Sequence, residues 1–291
     1  MKSALTPTVA IYGNSHQNPY LGEIAHLLHL LRRAGVHPVV EREFAGYLQR
    51  SGIILADDEI SSCPPPKGMA AISLGGDGTF LRTARWIGPL EIPVLGINTG
   101  HLGFLSSYSP AESAELVGML CGGDYLVESR MALRVDSPQL SLDFPYALNE
   151  VAVLRDETAS MLNIHVGLDG QYLADYLADG LLISTPTGST GYSLSVGGPI
   201  IFPGLDAICI APIAPHTLTA RPVVVAGHSC IRARTTSRAP RYRLSLDGVS
   251  FLLPVGAEVT VTRADFSPRV IRRKDDSFAS TLRRKLLWGV R

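Results

Sequence analysis

The chain lacks the features that mark several common protein classes. Its four cysteines, Cys63, Cys121, Cys209 and Cys230, are scattered without CxxC spacing. They read as unpaired thiols in a reducing compartment. Neither sign of charge is in excess, since 26 Lys and Arg stand against 26 Asp and Glu. Nothing therefore argues for nucleic acid or a membrane surface as a partner. No apolar run reaches transmembrane length. The start, MKSALTPTVAIYGNS, lacks the apolar segment and small-residue cleavage site of a signal peptide, so a cytoplasmic protein is expected. The histidines, His101 among them, form no HExxH or other metal set, and no GxSxG elbow occurs. Repeats and low-complexity tracts are absent.

What is present is a chain of 291 residues, 46% apolar and 18% charged, enough for a large domain or two ordinary ones. Up to residue 123, short apolar runs alternate with helical patterns. TVAIY (8–12), VHPVVERE (36–43), MAAISL (69–74) and IPVLGIN (92–98) read as strands. LGEIAHLLHLLRRAG (21–35) and PAESAELVGMLCGG (110–123) read as helices, the first with Leu21, Ile24, Leu27, Leu28 and Leu31 on one face. This order predicts a parallel sheet flanked by helices. From 124 to 276 the segments are short, β-rich and separated by turns, an all-β pattern whose one helix begins near Ser189. The closing segment 277–291 reads as an amphipathic helix carrying Phe278, Leu282 and Leu286. It is expected to return to the first domain, with Arg283, Arg284 and Lys285 on a solvated face.

Three stretches carry candidate chemistry. In SLGGDGTFLRTAR (73–85), Gly75 and Gly76 follow an apolar strand, and a helix is expected from near Thr79. Unpaired N–H groups at such a helix start suit an anion. Asp77 does not suit a pure phosphate cradle. It could take a proton from a substrate hydroxyl or help hold a cation, with Arg82 and Arg85 supplying positive charge. The stretch is neither GxGxxG nor GxxxxGK[ST]. In YALNEVAVL, Asn149 and Glu150 interrupt an apolar strand. Either Glu150 faces solvent and Asn149 bonds the backbone, or the strand end lines a ligand site. The third stretch, DGLLISTPTGSTGYSLSVGGP (179–199), offers Thr185, Thr187, Ser189, Thr190, Tyr192, Ser193 and Ser195, and backbone N–H groups, to a polar ligand.

GGDGTFLRTAR, GINTGHLGFL (96–105), NEV, ADGLLISTPTGSTGYSLSVGGPI (178–200) and APHTLTARPVVV (214–225), in that order, resemble the bacterial NAD kinases over almost the whole chain. The hydroxyl-rich stretch is the most specific, and GGDGT, shared with lipid kinases, the least. The resemblance implies an α/β, Rossmann-like N-terminal domain (1–123), a β-rich, sandwich-like dinucleotide-binding domain (124–276) and a site between them. It implies ATP-dependent phosphorylation of the adenosine-ribose 2′-hydroxyl of NAD+ to give NADP+, with Mg²⁺ or another divalent cation. Asp77 would be the base, Gly78 would lie beside it on the dinucleotide, and Arg82 would sit near phosphate. Asn149 and Glu150 would contact the ribose and nicotinamide end. Asp179 would help hold the dinucleotide, and Thr190, Gly191, Tyr192, Ser193, Leu194 and Ser195 would line the adenine pocket. A homodimer or homotetramer is implied, with partner subunits contributing to the site. The chain departs from many relatives at Leu177, where a basic residue is common, at Val249, near which Gln or Asn occurs, and at Gly191 in place of Ala. A lipid or small-alcohol kinase would share GGDGT but not the later stretches. A silent dinucleotide sensor would have no use for Asp77.

Overall fold

The computed structural model describes residues 6–100, 103–156, 160–287 and 289. His101 and Leu102 of GHLGFL lie outside the described residues, as do the first five residues and Trp288, Val290 and Arg291 of the closing segment. The chain forms two compact units, Met1–Ser129 with Pro268–Arg291, and Arg130–Ser267. The second unit is narrower than the 124–276 read from the sequence. Leu126–Ser129 and Arg269–Arg272 pair with each other in the first unit's sheet. These segments are as β-rich as their neighbours, and local pattern does not say which sheet a strand joins.

In the first unit the described strands make one eight-stranded sheet. Its order is Ile60–Ser61, His37–Glu41, Thr8–Gly13, Ala70–Leu74, Val94–Ile97, Arg269–Arg272 and Leu126–Ser129, with Ser106–Tyr108 also on Val94–Ile97. Every pairing is parallel except that of the last strand, Leu126–Ser129. Helices α1 (Leu21–Arg33), α2 (Arg42–Arg50), α3 (Asp77–Ile87) and α4 (Ser113–Gly122) complete the expected α/β pattern. α1 buries Ile24, Leu27, Leu28 and Leu31 in one core with Val9, Ile11, Ile72 and Leu95. Each such side chain contributes roughly 1.5–3 kcal/mol on burial. α2 takes the last two residues of the 36–43 stretch read as strand and runs on to Arg50. Glu41 ends the strand and turns its carboxylate onto the N–H groups of Glu43 and Phe44, both at 3.0 Å, which caps α2. The C-terminal helix, Phe278–Leu286, belongs to this unit. Ser277 caps it by accepting from the Ser280 N–H at 3.1 Å.

The second unit is a sandwich of two six-stranded antiparallel sheets. One runs Val223–Ala226, Ala207–Ile213, Gly180–Ser184, Glu150–Arg155, Arg241–Leu246, Val249–Pro254. The other runs Gln171–Ala178, Leu162–Leu168, Ile231–Thr236, Glu258–Arg263, Leu133–Asp136, Tyr146–Ala147. Val151, Val153, Leu181 and Ile183 of the first face Leu162, Ile164, Ile231 and Val259 of the second in a single core. The other face of Gly180–Ser184 is buried too. There Leu182, with Ala152, Cys209 and Ala211, packs against Ile201. Burial on both faces is why GLLIS shows no alternation, whereas Ile231–Thr236 alternates buried and exposed throughout.

Candidate functional site

In the first unit, α3 begins at Asp77 rather than near Thr79, and Gly76 occupies the position before it. Thr79 and Phe80 turn their N–H groups back to the Gly76 carbonyl at 2.9 and 3.0 Å. The first N–H groups of the helix have no partner within it, so the positive end of α3 lies at the predicted phosphate turn. The Asp77 side chain leaves the helix start and enters a second turn. Phe104 N–H donates to Oδ2 at 2.6 Å, and Leu105 and Ser106 N–H donate to Oδ1 at 3.0 and 3.2 Å. Gly103 allows this close approach, because a Cβ there would overlap Asp77 Oδ1. A carboxylate has about four acceptor positions. Three are taken, which leaves one on Oδ2.

Neighbouring groups secure this turn. Asn14 Nδ2 donates to Thr79 Oγ1 at 3.0 Å, and buried Gln17 donates to Asn14 Oδ1 at 2.9 Å and to the Leu74 carbonyl at 3.0 Å. Arg82 is exposed, and its Nε donates weakly to the Gly78 carbonyl at 3.4 Å. It borders a cavity of about 210 Å³ lined also by Tyr12, Asn14, His16, Glu41 and Phe44. Lys285 is not on a solvated face. Its ammonium lies 4.6 Å from the centre of the Phe104 ring. Burial lowers its pKa, while the charge of Asp77 works in the opposite direction. Sequence spacing gave no sign of this contact, because the basic run RRK reads as one solvated patch.

In the second unit, Asn149 and Glu150 do stand together with the hydroxyl-rich turn. Gly188 packs on the Asn149 main chain so closely that a Cβ would overlap the Asn149 carbonyl. A Cβ added at Gly191 would lie 3.4 Å from Asn149 Nδ2 and 3.6 Å from Glu150 Oε2. Asn149 Oδ1 and Glu150 Oε2 are buried without a hydrogen-bond partner. Buried polar oxygens without a protein partner make this corner a candidate ligand site. Burial pushes the Glu150 carboxyl up to about 7, with the nearby Asp247 carboxylate adding to the shift.

Not every hydroxyl of this loop is available. Thr185 Oγ1 donates to the Leu148 carbonyl at 2.6 Å and accepts from Gly188 N–H at 3.1 Å. Ser189 Oγ bonds Pro186 O, Ile201 O and Ile201 N–H. Both hydroxyls hold the loop's own backbone. Thr190 Oγ1 reaches the Thr187 carbonyl at 3.3 Å, and Ser193 is buried. Tyr192 and Ser195 are exposed, and Leu194 is half-buried. Asp179 is not brought to this cluster. Glu150 pairs with Ser184 and Leu154 with Gly180, so Asp179 sits just past the far end of the strand pair, about 17 Å along it. There it forms an ion pair with Arg155 at 2.7 Å.

Asp247, two residues before Val249, holds the main chain beneath Asn149 and Glu150. It lies with φ 48° in a hairpin turn with Gly248. Its carboxylate accepts from the N–H groups of Leu148 at 2.6 Å, Asn149 at 2.9 Å and Glu150 at 3.0 Å. The Asp-Gly pair between two strands was a legible hairpin signal. Its target, the main chain of 148–150, was not.

Comparison with known proteins bears on both halves. Residues 66–125 match the ATP-NAD kinase N-terminal domain and residues 148–273 the ATP-NAD kinase C-terminal domain. An NAD kinase of Porphyromonas gingivalis is 43% identical over 286 residues, covering 97% of this chain and 98% of that one. The chain belongs to the ATP-NAD kinase family. It is accordingly a phosphotransferase. An NAD kinase of Bacteroides fragilis is also 43% identical, over 96% of this chain and 97% of its own. The fold is shared with yeast NADH kinase, solved with NADH, at a TM-score of 0.86 and 24% identity over 98% of this chain and 89% of that one. It is shared too with an Archaeoglobus fulgidus NAD kinase solved with ATP, at a TM-score of 0.73 and 24% identity over 96% and 97%. The ATP-NAD kinase N-terminal match contains Gly75, Gly76, Asp77, Gly78 and Arg82. The C-terminal match contains Asn149, Glu150, Asp179, Thr190–Ser195 and Asp247. Lys285 lies beyond both.

Proposed function

We propose that this enzyme phosphorylates the adenosine-ribose 2′-hydroxyl of NAD+ with ATP, giving NADP+ and ADP, and that Asp77 accepts the hydroxyl proton. The free acceptor position on Asp77 Oδ2 is the observation that carries the chemistry. The ribose O–H proton passes to Oδ2, the oxygen bonds the γ-phosphorus, and the bond to the β-phosphate oxygen breaks. Such transfer depends mainly on positioning and charge neutralisation. The N-terminal end of α3 and Arg82 favour the phosphates, with Gly78 allowing the dinucleotide close to the turn. Asn149 and Glu150 take polar groups of the dinucleotide, and Thr190, Gly191, Tyr192, Ser193, Leu194 and Ser195 border its adenine.

Among the described residues, no cluster of three or more His, Cys, Asp or Glu could hold a metal ion. Asp77 is itself committed to three N–H donors. A divalent cation such as Mg²⁺ would bind through the phosphates of ATP and neutralise their charge. No helix among the described residues is long and apolar enough to cross a membrane. We read the enzyme as a cytoplasmic homodimer or homotetramer. Asp179, distant from Glu150 along its own strands, then contributes across a subunit boundary.

The test is NADP+ formation by the purified protein with NAD+, ATP and Mg²⁺, beside Asp77→Asn. Turnover in the wild type, largely lost in a variant that still binds NAD+, supports the reaction and the role of Asp77. No turnover in well-folded wild type overturns the reading and sends the search to lipid and other small-alcohol acceptors. Equal turnover in both removes Asp77 as the base.

A further inference from the structure

Three N–H groups fix Asp77, and all three come from one short turn. The geometry of the carboxylate is therefore only as good as the geometry of residues 104–106. Phe104 supplies the shortest of the three bonds, at 2.6 Å. Three of its other contacts come from the C-terminal segment. The Phe278 ring is tilted at 41° with centroids 6.4 Å apart. Lys285 Nζ stands 4.6 Å from the ring centre. Seven residues are two helical turns, so Phe278 and Lys285 project from the same side of their helix. The Phe104 carbonyl accepts from Arg272 Nη1 at 3.4 Å. Arg272 is 3% exposed and is tied in turn to Asp276 at 2.9 Å and Thr281 at 3.4 Å.

The other two basic residues of the run behave differently. Arg284 pairs with Asp276 at 3.0 Å, and Arg283 is exposed. Lys285 alone of the three is turned onto the ring. An ammonium over an aromatic face is attracted by the ring quadrupole, and the guanidinium of arginine makes the same contact.

We propose that Lys285 is a positioning residue for Asp77: stacked on Phe104, it holds the 104–106 turn so that three N–H groups converge on the catalytic carboxylate. Its effect on turnover rests on the reaction proposed above. Its effect on the turn does not.

The experiment uses the full chain with Lys285→Met, which keeps an unbranched apolar side chain over Phe104 without the charge, and Lys285→Arg, which keeps the cation. Phe104→Leu is a second route to the same loss, since it removes the ring and keeps the backbone donor. Amide exchange at 104–106 is measured together with kcat and KM for NAD+. Lys285→Met and Phe104→Leu are expected to speed exchange of those amides about tenfold, because local opening sets that rate. Misplacing a reacting group costs rate, so kcat is expected to fall about tenfold, with KM for NAD+ within about twofold of wild type. Lys285→Arg should stay within about threefold of wild type in both measurements. A purely structural contact would lower the melting temperature while leaving kcat of the folded protein intact, and would overturn the proposal. So would unchanged exchange in Lys285→Met, or failure of the arginine variant to preserve it. If wild type makes no NADP+ but exchange responds as expected, the reaction is wrong and the positioning role stands.

Discussion

Each unit of the chain holds one aspartate whose carboxylate accepts three successive backbone N–H groups. Asp77 takes those of Phe104, Leu105 and Ser106, and Asp247 takes those of Leu148, Asn149 and Glu150. The bond lengths are alike, from 2.6 to 3.2 Å in the first and 2.6 to 3.0 Å in the second. Their settings differ. Asp77 opens helix α3 at a glycine turn, and its donors belong to residues with apolar or small side chains. Asp247 sits in a hairpin turn, and two of its donors carry Asn149 and Glu150, whose own side-chain oxygens are buried without partners. On the proposed function, the backbone of the first unit is scaffold for a working carboxylate, and the carboxylate of the second is scaffold for the working residues above it. A hydrogen-bond pattern alone does not reveal which partner is functional. What lies unsatisfied around it does.

The largest effect that could break this comparison is on turnover. Asp77→Asn should lower kcat roughly 10²–10⁴-fold, the usual contribution of a positioned acid–base group. The amide oxygen can replace one carboxylate oxygen, but the amide nitrogen cannot accept the N–H donated to the other, so a stability loss of about 1–3 kcal/mol should accompany the much larger loss of kcat. Steady-state kinetics and thermal unfolding of the same preparation check this. Large destabilisation with proportional activity loss would make Asp77 scaffold, as Asp247 is.

Asp247→Ala should do the reverse. It strips the acceptor from three partly buried N–H groups, and each donor left without water or protein costs about 1–3 kcal/mol. Unfolding in urea should show a loss in that range or above. KM for NAD+ should rise more than kcat falls, because Asn149 and Glu150 lose their footing. A variant as stable as wild type would show that the turn is held by its strand pairing alone.

The sequence carried the architecture of each unit further than it carried these devices. The stripe of α1 and the glycine-bounded apolar strands were legible, because periodicity and turn residues are local. α2 was missed because Glu41 both ends a strand and caps the helix, with no proline or glycine between them. The exchange of Leu126–Ser129 and Arg269–Arg272 into the first sheet was missed because pairing is a long-range choice. Asp77, Asn149 and Glu150 stood out as polar residues in glycine-rich or apolar surroundings. Their supports did not, because every residue but proline offers an N–H and nothing local marks the three that will converge. Thr185 and Ser189 looked like ligand hydroxyls for the converse reason: composition does not tell a hydroxyl spent on its own loop from one left free.

Smaller effects concern Glu150. Its carboxyl is pushed up to about 7 from an ordinary 4.5 by burial, with Asp247 adding to the shift. The folded state then binds more protons than the unfolded state between those values, so stability falls as pH rises from about 4.5 to about 7 and levels off above. The contribution is of order 1–3 kcal/mol. Glu150→Gln should flatten that part of the profile, raising stability at pH 8 relative to wild type while leaving it nearly unchanged at pH 4. A profile of unchanged slope would mean that Glu150 is already ionised in the empty site.

Asp247→Asn tests the electrostatic share of the same shift, read on the Glu150 titration, where its effect should be the smallest; its amide nitrogen also fails to accept the Leu148 N–H. The amide keeps the size of the carboxylate and an acceptor oxygen but removes the negative charge beside Glu150. Because burial is the larger cause, most of the shift should survive. The upper end of the falling stability profile should move to lower pH by less than about one unit, or about 1 kcal/mol. Titration of the Glu150 carboxyl by NMR in wild type and variant measures this directly. A shift of several units would mean that the charge, not burial, dominates, and Asp247 would then tune the site as well as hold it. No shift would leave Asp247 as scaffold alone, and the contrast with Asp77 would be complete.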